Sequence, residues 1–574
     1  MNKGRSQIIG TLLLVIVLFL HFRFFSHTNK KESVAIQEKQ KLVAASKLLL
    51  FVQKKLDNTL LSSDNIVLEN EDMRVLLSPQ GARVVGVQLK KYTTFDQKPL
   101  HLLTALNSNM KIELTTKEGA KVDLSALLFS SEINQDKCGT TITLTHMFDQ
   151  ESNQWIRIQF YLSSKGYIVT CHMTTSDNLA VNKAYELSWI QHLANQDNHI
   201  EITRRNTLVQ YQDHKQYMRS LRDKKDQPVH TKLDKPASWV SIKTNYFLQG
   251  ITSSDSFQGT ELLVQPPAKG ENHIVKSVGI KIKTIGSLQF FFGPNDYYTL
   301  KGFAKNFENN HYLGPRIFRP INTYIILPIA GYLHQYIANY IWVLLILILI
   351  FALLQFYFNY QGHVNSIKMH ALKPMLAAIN ASNKEKSSKD LETMQLYRKA
   401  GANPLKQLLS IFIQIPIFIC MINFTRYKID FRQLSFLWIP DISTYDDLLS
   451  LPFSIPLIGN FISLMGLIGT FLPIVVENLK KKPPEQTGTQ NRLLTYGLPL
   501  MLMFVFNTYP VSWWIYRIFS SLLDLCQQLI IRLIVNEEAI TQATLSKMAN
   551  NDAINPKRSR AQTRLQKKIE KKKQ

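Results

Sequence analysis

Cysteine is scarce in this sequence and lacks the spacing that would give it a chemical role. The four cysteines of the 574-residue chain, Cys138, Cys171, Cys420 and Cys526, form no CxxC pair and no Cys/His ligand set. This distribution argues against a zinc site or a disulfide framework. Cys420 and Cys526 lie in apolar runs typical of inert buried thiols. Cys138 and Cys171 fall in one predicted domain, where they either pair in an oxidising compartment or remain thiols.

Motifs for covalent or nucleotide chemistry are absent as well. The chain contains no HExxH, GxSxG or GxxxxGK[ST] pattern, which argues against a zinc protease, a hydrolase with a nucleophile elbow and a P-loop ATPase. Histidines such as His146, His192 and His230 are scattered and form no recognisable constellation with the carboxylates. We therefore expect no enzyme activity, no metal and no cofactor.

Acidic residues are too few to balance the basic ones. The chain has 67 Lys and Arg against 42 Asp and Glu, a formal net charge of +25. Three stretches are strongly basic: residues 361–403, with seven basic and three acidic residues, the cluster Lys480, Lys481 and Lys482, and the last eighteen residues, with nine basic and one acidic. Basic loops between membrane spans mark the cytoplasmic side.

Long apolar runs dominate the second half of the chain. An earlier run over 8–25 follows two basic residues and has no small-residue cleavage site after it, which favours an N-terminal anchor over a cleaved signal peptide. Five further runs are predicted to span the membrane: Tyr340 to Tyr360, Pro404 to Tyr427, Ser454 to Val476, Leu493 to Phe506 and Val511 to Val535. Alternation through six spans places the N-terminus and all three basic stretches in the cytoplasm.

The region between the anchor and the second apolar run has a different pattern. Residues 26–62 are polar and predict a linker. Residues 63–315 contain short segments of alternating apolar and polar residues, which predict an all-β sandwich outside the cytoplasm. Residues 316–339 mix apolar residues with Arg, Asn, His and Tyr and predict an interfacial amphipathic helix on the outer membrane surface.

Residues 361–403 predict a helical hairpin. Apolar residues recur there at helical spacing in two groups: Met369, Leu372, Leu376 and Ile379, then Leu391, Met394 and Tyr397. We expect Ser387 and Asp390 to cap the second helix and Gly401 to end it. The apolar stripe is narrow enough that its sole role could be to hold the hairpin together.

The span predicted over Pro404 to Tyr427 has a polar residue at its centre. Gln414 lies close to Pro416 in the largely apolar run QLLSIFIQIPIFICMINF. A polar group in hydrocarbon requires a partner or a function. We expect this helix to line a polar groove inside the membrane, with the other spans assembled around it.

Three segments resemble the YidC family of membrane protein insertases in order and spacing: MHALKPMLAAI, LYRKAGANPLKQLLSIFIQIPIF and LTYGLPLMLMFVFNTYPVSWWIYRIFSSLLDLCQQLI. The upstream segments SWVSIKTNYFLQGI and FFGPNDYYTLKGF also resemble that family. The resemblance covers most of residues 65–535. It implies the long Gram-negative form, a multidomain inner-membrane protein with a periplasmic β-supersandwich, a five-helix core over 340–535 and a cytoplasmic hairpin. It further implies a hydrophilic groove that is closed on the outside.

The same resemblance implies the function and the partners. The chain is expected to insert nascent membrane proteins and help them fold, alone or with the Sec translocon. Further expected partners are the ribosome, the signal recognition particle with its receptor, and membrane lipids. The tail, residues 536–574, is a solvated end, an anionic-lipid contact or a ribosomal RNA contact. Candidate residues for ribosome or lipid contact are Lys480, Lys481, Lys482, Lys557, Arg558, Arg560, Lys567, Lys568, Lys571, Lys572 and Lys573.

The charge of the groove departs from the family pattern. The family usually has a positive charge on the first core span, and a gapless count places that position at Ala352, in a predicted span without Lys or Arg. We hypothesise that Arg517, on the last span, supplies the charge from the opposite wall, near Gln414. The alternative is that Arg517 snorkels to the outer interface and anchors its helix. The other candidate groove residues are Gln355, Asn423 and Tyr516.

Two other classes of function explain the sequence less well. A transporter or channel requires a conduction path and usually internal repeats, which the sequence does not display. A membrane-anchored carbohydrate enzyme or binding module built on the sandwich would leave five spans and the basic hairpin unexplained.

Overall fold

Two compact units make up the described part of the chain, with the boundary between Tyr312 and Leu313. The computed structural model describes residues 65–116, 120–149, 153–176, 179, 181–223, 227–267, 273–382, 385–403, 405–455, 459–479 and 496–554. The predicted anchor over 8–25 and the predicted linker over 26–62 lie outside these residues.

The first unit is predominantly antiparallel β-structure, as the alternating pattern predicts. It contains two short helices, α1 (Ile200–Asn206) and α2 (Tyr297–Leu300). Its strands are β1 (Ile66–Glu69), β2 (Met73–Ser78), β3 (Arg83–Thr93), β4 (Pro99–Leu103), β5 (Ser108–Thr116), β6 (Lys121–Asp123), β7 (Ser130–Gln135), β8 (Gly139–Asp149), β9 (Gln154–Ser163), β10 (Ile168–Thr175), β11 (Val181–Ala194), β12 (Leu208–Gln212), β13 (Met218–Leu221), β14 (Val229–Lys232), β15 (Ala237–Lys243), β16 (Phe247–Gln265), β17 (Ile274–Thr284) and β18 (Leu288–Pro294).

Strand β16 joins the two parts of the larger sheet. Strands β1 to β4 form a four-stranded sheet, and the remaining fourteen form one connected sheet. The first half of β16 pairs with β15 and β18, whereas its second half pairs with β14 and β17. The rings of Trp189 on β11 and Phe292 on β18 lie 6.2 Å apart. Three strand spacings of about 4.8 Å would separate these strands in a flat sheet, so the sheet folds back on itself.

Every second side chain of a strand packs into the core of this sheet. On β9, Ile156, Ile158, Phe160 and Leu162 are buried, while Arg157 and Tyr161 between them are exposed. Successive side chains of a strand point to opposite faces, so one face packs and the other meets water.

Cys138 and Cys171 are both free thiols, so the disulfide alternative is wrong and the thiol alternative is confirmed. Cys171 lies on β10 and is buried in the sheet core, whereas Cys138 is exposed in the turn before β8. Burial raises the pKa of the Cys171 thiol to about 12.

Asp72 joins the turn after β1 to the turn after β9. Its Oδ1 lies 2.6 Å from Lys91 Nζ, and its Oδ2 accepts a 2.7 Å hydrogen bond from the Gly166 N–H. Burial alone would raise the pKa of the Asp72 carboxyl, but these two partners outweigh burial and hold that pKa below its ordinary value of 3.8. A carboxyl with a lowered folded-state pKa stabilises folding above the unfolded-state pKa, and this contribution is lost as the pH falls through the folded-state value.

We expect Asp72→Ala to lower the free energy of unfolding of the β-domain by about 1.5–3 kcal/mol at pH 7, because a buried charged acceptor is lost. The difference from the unsubstituted protein should shrink as the pH falls below 3.8 toward the lower folded-state pKa of Asp72. Urea unfolding of residues 65–312, followed by tryptophan fluorescence at pH 7 and pH 3, measures both. Asp96→Ala, which breaks an exposed pair with Lys98, is the control with little effect. An Asp72→Ala effect independent of pH would contradict this account.

The second unit is mainly helical. Its first helical stretch comprises α3 (Arg319–Ile321), a π-helical turn (Asn322–Ile326) and α4 (Leu327–His334). This stretch falls within the predicted interfacial helix over 316–339, whose place on the membrane stays a prediction. The later elements are α5 (Tyr340–Ala371), α6 (Lys373–Ala381), α7 (Lys386–Ala400), α8 (Leu405–Tyr427), β19 (Leu449–Ile455), β20 (Gly459–Ile462), α9 (Leu464–Leu479), α10 (Leu498–Phe506), α11 (Val511–Ile534) and α12 (Glu537–Ile554).

The span predicted from Ser454 to Val476 is wrong at its start. Strands β19 (Leu449–Ile455) and β20 (Gly459–Ile462) pair in the antiparallel direction, and α9 begins only at Leu464. Pro456 does not explain the difference, because it would fall in the first turn of a helix starting at Ser454, where proline is tolerated. The apolar run conceals this break, since a short buried strand and a helix segment share the same composition.

The hairpin prediction also needs two corrections. Helix α5 continues to Ala371, past the predicted end at Tyr360, so the hairpin consists of α6 and α7. The predicted caps Ser387 and Asp390 lie inside α7, which begins at Lys386 after Glu385. Gly401 does end the helix, with a φ of 63° that glycine adopts without a Cβ clash.

Part of the predicted tail is helical. Asn536 caps α12 by accepting a 3.0 Å hydrogen bond from the Ala539 N–H, and Glu537 and Glu538 lie in the first turn. An asparagine cap and acidic residues at a helix N-terminus are both stabilising. Helix α12 contacts α5 and α7.

Met548 of α12 belongs to the core of the hairpin. The other buried members of this cluster are Met369, Leu372, Leu376, Tyr397, Ala400 and Ala402. Leu391 and Met394, which share the predicted stripe, are largely exposed. The stripe therefore divides into a part that holds the hairpin together, with α12 as a third helix, and a part that faces outward.

We expect a chain that ends after Asn536 to have faster hydrogen exchange in α6 and α7, by at least about tenfold, because the cluster loses Met548. Hydrogen exchange with mass spectrometry over residues 373–400 measures the change. A chain that ends after Ile554 keeps α12 and loses only the basic tail, so its exchange should match the full chain. Equal exchange in both truncated chains would contradict the packing role of α12.

One helix in the described ranges, α5, is long and apolar enough to cross a membrane. Helices α11 and α12, bent by 65°, pass the same test as a pair, and Phe412–Tyr427 and Leu464–Asn478 form shorter apolar helices. The first predicted span and the start of the fifth lie outside the described residues. The count of six spans therefore stays a prediction.

Candidate functional site

Helix α8 has an interrupted hydrogen-bond ladder next to its polar residue. Pro416 lies inside the helix, and because proline has no N–H, the carbonyl of Phe412 lacks its usual donor one turn later. Gln414 lies between these two positions and is exposed. An amide side chain and a carbonyl that lacks its usual helical donor therefore occur in one turn of this apolar helix.

Arg517 of α11 lies against the same helix. Its guanidinium carbon is 5.9 Å from the centroid of the Phe418 ring on α8, within the range of a cation–π interaction. Phe418 follows Gln414 by four residues and therefore shares its helix face. Arg517 is half-buried. The structure thus places Arg517 on the side of α8 that carries Gln414.

Tyr516 precedes Arg517 in α11 and is buried. It is 6% exposed, and its ring centroid is 5.1 Å from that of Trp513. The ring of Trp513 is in turn 5.0 Å from Phe418. These three rings pack α11 against α8, so Tyr516 belongs to the aromatic contact between the helices.

Asn423 occupies a closely packed position near the end of α8. It is 3% exposed and donates a 2.6 Å hydrogen bond to the Ile419 carbonyl of its own helix. A Cβ on Gly314 would lie 2.9 Å from Asn423 Nδ2, and Gly314 has a φ of 97°. The structure therefore places Asn423 against the chain at Gly314, apart from Gln414 and Arg517.

Ala352 and Gln355 lie on α5, and both are half-buried. Residues three apart share a helix face. The carbonyl of Ala352 accepts a 2.6 Å hydrogen bond from Nε2 of Gln527 on α11. Sequence reasoning missed Gln527; a glutamine in a predicted membrane span is the same kind of signal that identified Gln414.

Polar contacts also join the helices where α10 meets α11. Asn507 accepts a hydrogen bond from the Ser463 N–H at 3.0 Å and donates one to the Phe461 carbonyl at 2.9 Å. Ser512 Oγ donates to the Thr425 carbonyl of α8 at 2.9 Å. These bonds fix the start of α11 to α8 and to the β19–β20 hairpin.

The opposite end of α8 is fixed to α5. Asn365 donates a 2.9 Å hydrogen bond to the Asn403 carbonyl and accepts a 2.8 Å bond from the Asn403 N–H. Asn365 is buried. This reciprocal pair closes the base of the hairpin formed by α6 and α7.

The candidate ribosome or lipid contacts lie outside the described residues. They are Lys480, Lys481, Lys482, Lys557, Arg558, Arg560, Lys567, Lys568, Lys571, Lys572 and Lys573. Within the ranges that the structure describes, no group of three or more His, Cys, Asp or Glu side chains is arranged to hold a metal ion.

Comparison with known proteins defines the class first. Residues 65–327 match the family described as YidC periplasmic domain, and residues 332–538 match the family described as 60Kd inner membrane protein. The chain is thus an inner-membrane protein with a β-rich periplasmic domain.

Relatives of full length identify the family. A membrane protein insertase YidC from Amoebophilus asiaticus is 30% identical over 576 residues, which covers 96% of each chain. One from Porphyromonas gingivalis is 29% identical and covers 88% of this chain and 84% of the relative. The chain belongs to the YidC family of membrane protein insertases.

A solved structure is also similar. A crystal structure of an active YidC insertase with its first transmembrane domain resolved has 14% sequence identity and a TM-score of 0.32, and the match covers 84% of this chain and 97% of that one. The family assignment rests on the sequence matches.

Proposed function

We propose that this chain inserts membrane proteins into the inner membrane and assists their folding. The observation that carries the proposal is the match to an insertase from Amoebophilus asiaticus along 96% of both chains. The transporter alternative gains no support from these relatives, which are named insertases.

The proposed site is a polar groove between α5, α8 and α11, which contact one another. Its wall comprises Arg517, Gln414, Ala352 and Gln355. The guanidinium carbon of Arg517 lies 5.9 Å from the centroid of the Phe418 ring, which supports the proposal that the positive charge lies on the side of α11 that meets α8. Tyr516 packs behind the charge, and Asn423 supports the end of α8.

The groove lowers a transfer barrier and makes or breaks no covalent bond. Moving one charged residue to the middle of the bilayer costs on the order of 3 kcal/mol on insertion scales. Hydration and a fixed positive charge inside the groove reduce that cost for the polar and acidic residues that precede a substrate helix. The apolar substrate helix then leaves toward lipid, where it is stable.

The topology and the partners belong to the same proposal. The N-terminus, the hairpin of α6 and α7, the loop with Lys480 to Lys482 and the tail lie in the cytoplasm, where positive loops are favoured. Nascent chains, the Sec translocon, the ribosome and the signal recognition particle with its receptor are the proposed partners. The basic residues from Lys557 onward contact phosphates of ribosomal RNA or anionic lipids.

A deletion separates this function from the carbohydrate-binding alternative. Removing most of residues 65–300 leaves the helical unit intact, so insertion should continue in a strain depleted of its own insertase. The reciprocal variant keeps the β-domain and replaces Arg517 with alanine. If the deletion abolished insertion while Arg517→Ala inserted substrate normally, the activity would belong to the β-domain and the proposal would be contradicted.

A further inference from the structure

We propose that Gln527 is a positioning residue for insertion, because its side-chain amide holds α11 against α5 and thereby fixes where Arg517 lies. This inference rests on the proposed function of Arg517.

Both ends of the Gln527 amide are bound to α5. Nε2 donates to the Ala352 carbonyl at 2.6 Å, and Oε1 accepts from Asn359 Nδ2 at 2.9 Å. Ala352 and Asn359 are seven residues apart, which places them about two turns apart on one face of α5. We call the contact of Gln527 with Ala352 and Asn359 the glutamine strap.

The strap couples the two helices through two hydrogen bonds made by one buried side chain. Gln527 is 8% exposed, and along α11 it has apolar neighbours at Leu523, Ile530 and Ile531 and polar ones at Asp524 and Gln528. If α5 and α11 separated in an apolar environment, the Gln527 side chain would lose its bonds to the Ala352 carbonyl and to Asn359 Nδ2. An unsatisfied polar group is costly in hydrocarbon.

A second contact on α11 makes the strap relevant to Arg517. Ser512, five residues before Arg517, donates a hydrogen bond from its Oγ to the Thr425 carbonyl of α8. Gln527 lies ten residues after Arg517. These two contacts are about 22 Å apart along the helix axis at 1.5 Å per residue. A helix bound at both points cannot turn freely about its axis, so the side of α11 that carries Arg517 stays directed at Phe418.

The adjacent residue provides a matched control. Gln528 is buried to a similar degree as Gln527, but within the described part of the chain its side chain makes no hydrogen bond to α5. Gln528→Leu therefore makes the same chemical change without breaking the strap.

The test uses the full chain in proteoliposomes with two single-span substrates that differ only in their translocated segment, which is acidic in one and neutral in the other. Gln527→Leu should lower insertion of the acidic substrate by about three- to tenfold, the range expected for hydrogen bonds between membrane helices. The neutral substrate should lose much less, because it does not depend on the position of a positive charge. Gln528→Leu should affect both substrates equally and weakly.

A double-substitution cycle tests the strap itself. Asn359→Leu removes only one of the two bonds, so it remains informative if Gln527→Leu accumulates poorly. In the combined Gln527→Leu and Asn359→Leu chain, the loss of acidic-substrate insertion should be smaller than the sum of the two single losses, because residues in one contact are not additive. Additive losses, or equal losses for both substrates, would overturn the inference.

The role of Gln527 can be refuted independently of the role of Arg517. If Arg517→Ala lowers the insertion of the acidic and neutral substrates equally or leaves both unchanged, the proposed role of Arg517 is wrong. The inference about Gln527 is then wrong as well. If Arg517→Ala discriminates between them while Gln527→Leu behaves like Gln528→Leu, only the inference about Gln527 is wrong.

Discussion

Replacing Arg517 with alanine is expected to lower the insertion of a substrate with an acidic translocated segment by about tenfold, equivalent to about 1.4 kcal/mol. The figure is roughly half the cost of moving one charge into the bilayer centre, because groove water supplies the rest. Arg517→Lys keeps the charge but loses the planar group over Phe418, so it should keep most of the activity. The measurement is the rate of insertion into proteoliposomes at equal protein content.

The alternative role of Arg517 predicts a different result. If the side chain snorkels to the outer interface and anchors α11, then Arg517→Ala leaves the insertion rate unchanged for acidic and neutral substrates alike. Normal insertion by Arg517→Ala would therefore contradict the groove role.

Moving the charge to the first core helix is expected to restore insertion. In the Arg517→Ala background, Ala352→Arg should recover at least about half of the lost activity, because it returns one positive charge to the groove from the α5 side. The side chain of Ala352 can change without breaking the glutamine strap, since Gln527 binds the backbone carbonyl at that position. The insertion assay with the acidic substrate measures the recovery.

The adjacent position supplies the control for this experiment. Leu353 is 65% exposed, and one residue along a helix turns the side chain by about 100°. Leu353→Arg in the same background should give no recovery, since the charge then faces away from the groove. Equal recovery from both positions would show that net charge matters and its place in the groove does not.

Periodicity in the sequence predicts much of this fold. The alternation on β9 predicts a half-buried strand, and the continuous apolar run from Tyr340 predicts α5. These patterns succeed because one buried face of a strand, or an apolar surface on every side of a helix, is recorded directly in the order of apolar and polar residues.

Other features leave no such record. The β19–β20 hairpin lies inside an apolar run, whose composition does not distinguish a buried strand from the start of a helix at Ser454. Helix α12 has too few apolar residues to predict from periodicity, although Asn536 followed by two glutamates is a helix-start signal.

The site is predictable in part. Gln414 and Arg517 stand out in the sequence because polar residues in apolar helices are rare and require a reason; their place in a groove stays a prediction. Asn423 satisfies the same criterion but lies in a packed contact near Gly314, because sequence alone does not distinguish a groove wall from a buried hydrogen bond. The pairing of Gln527 with α5 depends on a helix 175 residues away, which no local pattern encodes.

Site-specific photocrosslinking to a stalled nascent membrane protein tests the central claim most directly. Probes at Gln414, at Ala352 and at position 517, the last in the Ala352→Arg background to retain the charge, should each crosslink to the nascent chain. A probe at Leu353 reports on the lipid side of α5. Crosslinks at the first three positions are the expected result; no crosslink from any of them, in chains that still insert the substrate, would contradict a groove between α5, α8 and α11.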